Sequence, residues 1–240
     1  MGCEEAVCRL NGAEVYRYVM PGICSNMYMI CEAGEALVVD PHRSEEALSR
    51  LGLLGIGRVT VLLTHEHIDH ISGVCVLRQR FDTRVVCTDT CALRCGNPEE
   101  NLAAYWSLLH EGKLPELSTI AKDSVSGADL AWTTDDCFHG QLEMTWQGHS
   151  LVLRQAPGHS PGGMLVFMEN GYVFTGDNLV NGSGTICYFP GGDKRAYLEQ
   201  TKPLIESLAD DVMVFPGHGE PGRMSELRSY SVLKKRRAAI

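Results

Sequence analysis

The sequence lacks long apolar runs and a secretion signal. No stretch of its 240 residues approaches the ~20 consecutive apolar residues that cross a bilayer. Glu4 and Glu5 stand near the N-terminus, where a signal peptide has basic residues followed by an apolar segment. These absences predict a cytoplasmic protein that does not enter a membrane.

Basic residues are scarce in this chain. It has 21 lysines and arginines against 30 aspartates and glutamates, which gives a net charge of −9. This balance opposes broad electrostatic attraction to nucleic acids or anionic membranes, so we expect neither as a partner. The basic run at 234–237 is short and terminal, as is typical of a solvated tail. The expected partner is a small molecule, and the sequence does not indicate an oligomeric state.

Ten cysteines are present, but no two have the CxxC spacing. Without a secretion signal, we expect reduced thiols and no disulfide framework. Cys87, Cys91 and Cys95 recur every four residues, which on a helix places them on one face. They form either a metal or redox site or a set of small buried side chains. We favour buried side chains, because free cysteine is among the most buried residue types.

Short β-rich runs occur in both halves of the chain. We predict strands over 14–20, 26–31, 35–40, 58–64, 84–88, 142–146, 151–155, 164–168, 171–174 and 211–215. Helices are predicted from a cap at Ser44 to Arg50, over 71–80 and 98–110, and after a cap at Asp193, with Pro203 kinking or ending the last. This pattern predicts one α/β domain, 1–240, in which two sheets pack face to face under outer helices.

Three histidines and an aspartate lie together in segment 64–70, directly after a hydrophobic strand. His65 and His67 alternate as in extended backbone, so both rings can point toward one metal ion. Asp69 and His70 continue into the turn and can face a second ion. Imidazole and carboxylate together suit zinc, and also iron or manganese. Such a cluster on a loop after a strand predicts a metal centre.

Four more chemically active side chains follow predicted strands. They are Asp40, His159, Asp177 and His218. Each alone is typical of a cap or a solvated loop residue. Together they are placed to reach one rim of the two sheets, and we expect them to join the cluster at 64–70.

With these residues the sequence resembles the metallo-β-lactamase fold superfamily, whose ordered signature is HxHxDH, then His, Asp and His. The resemblance covers nearly the whole chain and implies a four-layer αββα sandwich. It implies a first metal held by His65, His67 and His159, and a second held by Asp69, His70 and His218. It also implies that Asp177 bridges the two metals and that Asp40 orients a ligand histidine.

Asp177 stands where the true β-lactamases commonly have cysteine, so the chain is more similar to the glyoxalase II (hydroxyacylglutathione hydrolase) branch. Segments 182–184 and 189–193 resemble the short, single-domain members of that branch. Only 22 residues follow His218, too few for the C-terminal helical domain with which glyoxalase II holds glutathione. Segment 185–188 replaces the arginine-containing stretch that is usual in the short relatives.

Two further features are specific to this chain. His42 stands where many relatives have glycine, and it is either a substrate contact or a solvated loop residue. The long step from His70 to His159 predicts a helical insertion near 98–139. The aromatic side chains of that insertion form either a lid or a packed core: Tyr105, Trp106 and Trp132.

The expected function is metal-dependent hydrolysis of a small acyl substrate: a thioester, an ester or a lactone, with the thioester slightly ahead. Two divalent ions, zinc foremost and iron or manganese as alternatives, would activate a bridging hydroxide, and Asp69 would orient it and pass on a proton. A second hypothesis is an iron oxygenase similar to the persulfide dioxygenases, with a single iron on His65, His159 and Asp177. Two more functions are compatible with the same residues: phosphodiester hydrolysis and a non-catalytic binding module.

Overall fold

The computed structural model describes residues 5–10, 13–105, 132–169 and 171–232. These residues form two β-sheets with helices on both outer faces. Within this part of the chain, none of the helices has the length and apolar character needed to traverse a bilayer.

The first sheet contains seven strands in sequence order. They are β1 (Glu5–Leu10), β2 (Ala13–Val19), β3 (Asn26–Glu32), β4 (Glu35–Val39), β5 (Arg58–Leu62), β6 (Asp82–Thr88) and β7 (Asp136–Phe138). Strands β1 to β4 pair antiparallel, and β4 to β7 pair parallel. The carboxyl ends of β4 and β5 therefore reach the same edge of the sheet.

The second sheet contains six strands in the order β13-β12-β11-β10-β9-β8. They are β8 (Gln141–Trp146), β9 (His149–Gln155), β10 (Met164–Met168), β11 (Tyr172–Gly176), β12 (Met213–Pro216) and β13 (Gly222–Arg223). Strands β11 and β12 pair parallel, so their carboxyl ends also share one edge.

Helices cover the outer face of each sheet. Over the first sheet lie α1 (Glu45–Leu53), α2 (Ile68–Ile71), α3 (Val74–Arg80) and α4 (Asp89–Arg94). Over the second lie α5 (Lys194–Ala196), a π-helical turn (Tyr197–Thr201), α6 (Lys202–Glu206) and α7 (Met224–Leu227). The predicted caps are present: Ser44 Oγ accepts from the amide of Ala47 at 3.2 Å, and Asp193 accepts from the amides of Arg195 and Ala196.

Successive side chains of strand β4 pack into two different hydrophobic cores, one on each face of the first sheet. On β4, Leu37 and Val39 pack between the sheets, while Ala36 and Val38 pack under the helices. A strand buried on both faces reads as a continuous apolar run, which is how the sequence presents this segment. The layers are helix, sheet, sheet, helix, so the predicted four-layer αββα sandwich is confirmed.

The cysteines at positions 87, 91 and 95 all lie in the core between the first sheet and its helices. The Sγ atoms of Cys91 and Cys95 are 3.6 Å apart. Burial raises the pKa of the Cys91 thiol well above its usual value. These three residues pack as small buried side chains, as the favoured interpretation of the sequence expected.

The predicted helix at 98–110 differs from the structure. Within 98–105 the backbone makes turns and a single 3₁₀ turn at Ala103–Tyr105, while 106–110 lies outside the described residues. Asn97 and Asn101 explain the difference, because their side-chain oxygens accept from the amides of Glu99 and Ala103 and so compete with helical hydrogen bonds. Leu102 has φ of 69°, which no α-helix continues.

The predicted helical insertion near 98–139 is wrong at its C-terminal end. There Asp136–Phe138 forms β7, an edge strand that pairs parallel with β6. Trp132 is partly buried against the core beneath the helices, which favours core packing over a lid for this side chain. Trp106 and the rest of 106–131 lie outside the described residues. Strand β1 was also not predicted.

Candidate metal centre

The seven signature residues lie at one rim of the sandwich, because each follows a strand that ends there. Segment 64–70 follows β5, His159 follows β9, Asp177 follows β11 and His218 follows β12. The structure brings all seven together, with Asp40 beside them after β4: His65, His67, Asp69, His70, His159, Asp177 and His218.

Asp40 fixes the ring of His70. Its carboxylate is buried and accepts from the amide of Thr64 at 2.7 Å and from the hydroxyl of Thr64 at 2.6 Å. Nδ1 of His70 lies 3.0 Å from the same carboxylate. The proton on Nδ1 is therefore donated to Asp40, and Nε2 of His70 faces the rim as a potential ligand.

His65, His67 and His159 form the first potential ligand group, with one ring nitrogen of each within 4.8 Å of the others. Nδ1 of His159 donates to the backbone oxygen of Ile186 at 2.7 Å, which directs Nε2 into the group. Nε2 of His159 lies 3.0 Å from Nδ1 of His67. Nε2 of His65 is buried and has no hydrogen-bond partner among the described residues.

Asp69, His70 and His218 form the second group. Asp69 Oδ2 lies 3.3 Å from Nε2 of His70 and 3.4 Å from Nε2 of His218. Asp40, His65 and His70 are also close enough to be considered together, but Asp40 already accepts from Thr64 and His70.

Asp177 faces both groups. Its Oδ2 lies 3.5 Å from Nε2 of His159, in the first group, and 3.4 Å from Nε2 of His218, in the second. Its Oδ1 lies 3.6 Å from Nε2 of His70 and has no hydrogen-bond partner among the described residues. One carboxylate thus spans the space between two sets of imidazoles.

Burial and charge divide these residues into two electrostatic classes. Burial lowers the pKa of His65, His67 and His159, so these rings are neutral. Burial acts in the same direction on His218, but the carboxylates of Asp177 and Asp69 outweigh it and raise the pKa of His218 to about 10. The pKa of His70 is also raised, because Asp69, Asp40 and Asp177 together outweigh its burial.

The pKa values of Asp69 and Asp177 are shifted downward, which keeps both carboxylates ionised. Burial would raise the pKa of Asp69 and Asp177, but the neighbouring histidines hold both well below the usual range. Ionised carboxylates and the neutral imidazoles of His65, His67 and His159 are donors that zinc, iron and manganese take, and His70 and His218 become such donors when a metal ion displaces their protons. Buried ring nitrogens and a carboxylate oxygen without partners among the described residues also point into this space, so the site fits divalent metal ions.

Glycines allow the ligand loops to approach each other closely. A Cβ on Gly217 would collide with Oδ1 of Asp177. A Cβ on Gly176, which has φ of 49°, would collide with the hydroxyl of Thr64. A larger residue at Gly217 would separate the loop after β12 from the loop after β11, and one at Gly176 would separate β11 from the loop after β5.

His42 is neither a substrate contact nor a solvated loop residue, the two roles considered from the sequence. His42 is buried, with Nε2 3.2 Å from the backbone oxygen of Tyr18 and Nδ1 3.1 Å from that of Arg43. Burial lowers the pKa of its ring. The expectation of a solvated loop residue is wrong, and the geometry is that of a structural histidine.

Three residues have supporting roles that the sequence did not predict. Ser25 donates to the backbone oxygen of Asp69 at 3.3 Å and forms a β-bridge with His218. Asn26 donates to the backbone oxygens of Pro216 and Gly219, which holds the loop that carries His218. Glu66 is fully buried between two signature histidines. The sequence did offer a signal for Glu66, because it is an acidic residue between two predicted metal ligands. No neighbouring residue in the sequence indicated a role for Ser25.

This fold, with imidazole and carboxylate groups at one rim of an αββα sandwich, is that of the metallo-beta-lactamase superfamily. The sequence model of that superfamily matches residues 23–218, and the chain belongs to it.

Among curated proteins, the chain is similar to hydroxyacylglutathione hydrolase GloC of Haemophilus influenzae, with 25% identity over 189 residues, or 77% of this chain and 80% of that protein. It is also similar to the probable metallo-hydrolase YqgX of Bacillus subtilis, with 26% identity over 202 residues, or 82% and 86% of the two chains. Among solved structures, TTHA1623 in a di-iron-bound form matches with a TM-score of 0.68 and 25% identity, covering 91% of this chain and 98% of that one. The relatives support an enzyme of the metallo-hydrolase class.

Proposed function

We propose that this protein is a binuclear metal-dependent hydrolase of small acyl substrates, with thioesters ahead of esters and lactones. The observation that carries the proposal is the position of Asp177, whose carboxylate faces His159 on one side and His218 on the other. A single iron on His65, His159 and Asp177 would leave Asp69, His70 and His218 without a role as ligands, although the same carboxylate faces the last two. The di-iron form of TTHA1623 and the name of GloC support the two-metal and thioester parts of the proposal.

The first metal would be held by His65, His67 and His159, and the second by Asp69, His70 and His218, with Asp177 shared. Zinc is the metal we expect, and iron and manganese are the alternatives. When bound, two such ions supply Lewis acidity and lower the pKa of water toward neutrality. A serine or cysteine nucleophile is then not required.

The protein's own residues hold this geometry. Asp40, itself held by Thr64, orients His70, and the backbone oxygen of Ile186 orients His159, so Nε2 of each ring is directed to the centre. The side chain of Asp69 is 12% exposed and ionised, so it can accept a hydrogen bond from a water molecule and then take its proton. Two carboxylates do not neutralise two divalent cations, so the site favours an anionic transition state.

The proposal also covers the setting of the enzyme. The net charge of −9 favours a small molecule over nucleic acids or anionic membranes as the partner. We place the activity in the cytoplasm, in keeping with ten cysteines of which none is paired among the described residues.

The test combines metal analysis with substrate screening. Protein purified without added metal, and then reconstituted, should carry two transition-metal ions per chain. It should hydrolyse chromogenic thioesters faster than phosphodiesters, and a chelator should abolish the activity reversibly. Rates should be equal in air and under anaerobic conditions.

Three results would contradict the proposal. One is the absence of any transition metal after reconstitution. Another is phosphodiester turnover that exceeds thioester turnover. The last is persulfide-dependent uptake of oxygen with one iron per chain, which would establish an oxygenase instead.

A further inference from the structure

Glu66 lies between two proposed metal ligands but is engaged elsewhere. Its side chain is fully buried, and Oε1 accepts from Nε of Arg94 at 2.8 Å. Its Oε2 accepts from the hydroxyl of Ser160 at 3.1 Å. Ser160 follows His159 directly in the chain. Glu66 therefore joins the loop that carries His65 and His67 to the loop that carries His159.

Arg94 connects Glu66 to two further parts of the chain, the segment after α4 and the loop that contains Gly191. Nη1 of Arg94 donates to Glu100 at 2.8 Å, in the segment that follows α4. Nη2 lies against Gly191, where an added Cβ would be 2.6 Å away. Gly191 belongs to the loop that also contains Ile186, whose backbone oxygen holds Nδ1 of His159.

The backbone of Gly162 packs closely against Glu66. A Cβ on Gly162 would collide with Oε2 of Glu66 and would approach the Cα of Cys91 to 2.6 Å. The hydroxyl of Thr88 donates to the backbone oxygen of Gly162 at 2.8 Å, which fixes the loop against the start of α4. Glu66 and Arg94 thus meet where the ligand loops pack against α4, with the side chain of Glu66 fully buried and that of Arg94 16% exposed.

A buried ion pair contributes little net stability compared with apolar residues of similar size, because both charges are desolvated. Its advantage is geometry, since the planar guanidinium fork of arginine fixes the direction of each hydrogen bond. Here the hydrogen bonds fix how the loop of His67 approaches the loop of His159. Nδ1 of His67 and Nε2 of His159 lie 3.0 Å apart.

The second ligand group has different supports. Asp40 holds His70, Ser25 binds the backbone of Asp69, and Asn26 holds the loop of His218. None of these contacts involves Glu66 or Arg94. Glu66 and Arg94 therefore hold only the approach of the His67 and His159 loops, whereas the Asp40 network holds His70 and also reaches the first group through Thr64, whose hydroxyl lies 3.1 Å from Nδ1 of His65.

We propose that Glu66 and Arg94 are positioning residues for the first metal ion alone, and that their loss weakens that ion while the second is retained. The inference rests on the proposed two-metal centre. Its measurements concern metal occupancy and do not require a substrate.

The experiment compares Glu66→Gln and Arg94→Gln with Arg84→Gln as the matched control. Arg84 also pairs with a carboxylate, Nε to Asp136 Oδ2 at 2.6 Å, but this exposed pair does not contact the ligand loops. Each purified protein is stripped of metal and titrated with zinc in competition with a chromogenic chelator. A parallel titration with cobalt records the visible absorption of each ion.

Both test variants should bind one ion at least tenfold more weakly than the wild type and the other with unchanged affinity. The cobalt spectrum of the weakened ion should shift, which a purely structural role would not cause. Arg94→Lys, which keeps the charge but loses the fork, should give an intermediate affinity. Arg84→Gln should bind both ions as the wild type does.

Wild-type affinity for both ions in both variants would overturn the proposal, and so would equal weakening of the two. If the single variants do not fold, the double variant Glu66→Met with Arg94→Met supplies apolar side chains of similar length. That protein should fold and still bind one ion weakly, and tight binding of both ions would be contrary to the proposal. A wild type that binds two ions but hydrolyses no acyl substrate would contradict the proposed function and leave this inference intact.

Discussion

At the scale of single residues, a hydrogen bond to the carboxylate of Asp40 determines which ring nitrogen of His70 faces the metal centre. Asp40 has φ of 54°, a left-handed conformation that aspartate and asparagine adopt more readily than other non-glycine residues. That conformation lets one carboxylate bind the amide and hydroxyl of Thr64 and also Nδ1 of His70. The backbone geometry after β4 and the ring orientation of His70 are thus set by the same side chain.

Asp40→Asn tests this coupling. Asparagine tolerates the same backbone conformation and has nearly the same volume, so the fold should persist. One carboxylate oxygen accepts from the amide of Thr64, and the other accepts from the hydroxyl of Thr64 and from His70, so asparagine in either orientation turns an NH₂ group toward one of these donors. Metal affinity should fall about 10- to 100-fold, as is usual when the partner of a ligand histidine is lost. A competition titration with a chelator measures this, and unchanged affinity would show that Asp40 does not orient His70.

Asp69→Ala tests the second residue-scale role. Asp69 lies on the rim loop, so its removal should affect turnover far more than folding. We expect kcat to fall at least 10²-fold, equivalent to ~2.7 kcal/mol in the activation free energy. Kinetics are measured at saturating metal, with thermal unfolding as the control. A near-native rate with both metals bound would exclude a catalytic role for Asp69.

At the scale of elements, the strands that carry the site were predictable and the segment after α4 was not. Strands β4, β5 and β11 are largely apolar, and an aspartate or a histidine follows each of them within a few residues, so their existence and ends follow from the pattern. The ordered signature then placed all seven rim residues in one region.

The elements that were missed have physical reasons. Strand β7 has three residues and is stable only because β6 pairs with it, which no local signal reveals. The 98–110 helix was predicted from periodicity, whereas Asn97, Asn101 and Leu102 make local contacts that favour turns. Contacts between distant loops, such as Glu66 with Ser160, exist only after folding.

Two glycine substitutions test the backbone conformation at positions where an added Cβ would meet no other atom. No atom lies within 4 Å of a Cβ added at Gly52, in α1, or at Gly34, in the turn before β4. Only Gly34 has a left-handed backbone, with φ of 80°. Gly52→Ala should therefore stabilise the protein by about 0.5–1 kcal/mol, and Gly34→Ala should destabilise it by about 1 kcal/mol. Urea denaturation measures both, and effects of the same sign would contradict the assignment of these conformations.

At the scale of the whole molecule, the two sheets are joined by polar contacts at both rims. His149, at the start of β9, lies at the rim opposite the metal centre. Nε2 of His149 is 2.9 Å from Glu32, at the end of β3, and Nδ1 is 2.7 Å from Glu169, after β10. One imidazole thus connects the first sheet to the second.

His149→Gln should therefore change the pH dependence of stability. Burial lowers the pKa of His149, but hydrogen bonds to Glu32 and Glu169 outweigh it and raise the pKa above its ordinary value. A raised folded-state pKa stabilises the protein fully below the unfolded value of about 6.5, and this stabilisation is lost as the pH rises through the folded value. The variant should be destabilised more at pH 6 than at pH 9 in urea denaturation. An equal effect at both values would show that His149 is neutral in the folded protein.

Because the two sheets are joined at two opposite rims, loss of the contacts at one rim should allow local opening there and not at the other. When metal is removed, the His149 contacts still join the sheets, while the imidazoles and carboxylates at the other rim lose the cations that hold them together. The sheets should then separate locally at the metal rim and stay closed at the His149 rim. Amide hydrogen exchange should accelerate on metal removal at the carboxyl ends of β5 and β12, and remain slow where β9 begins.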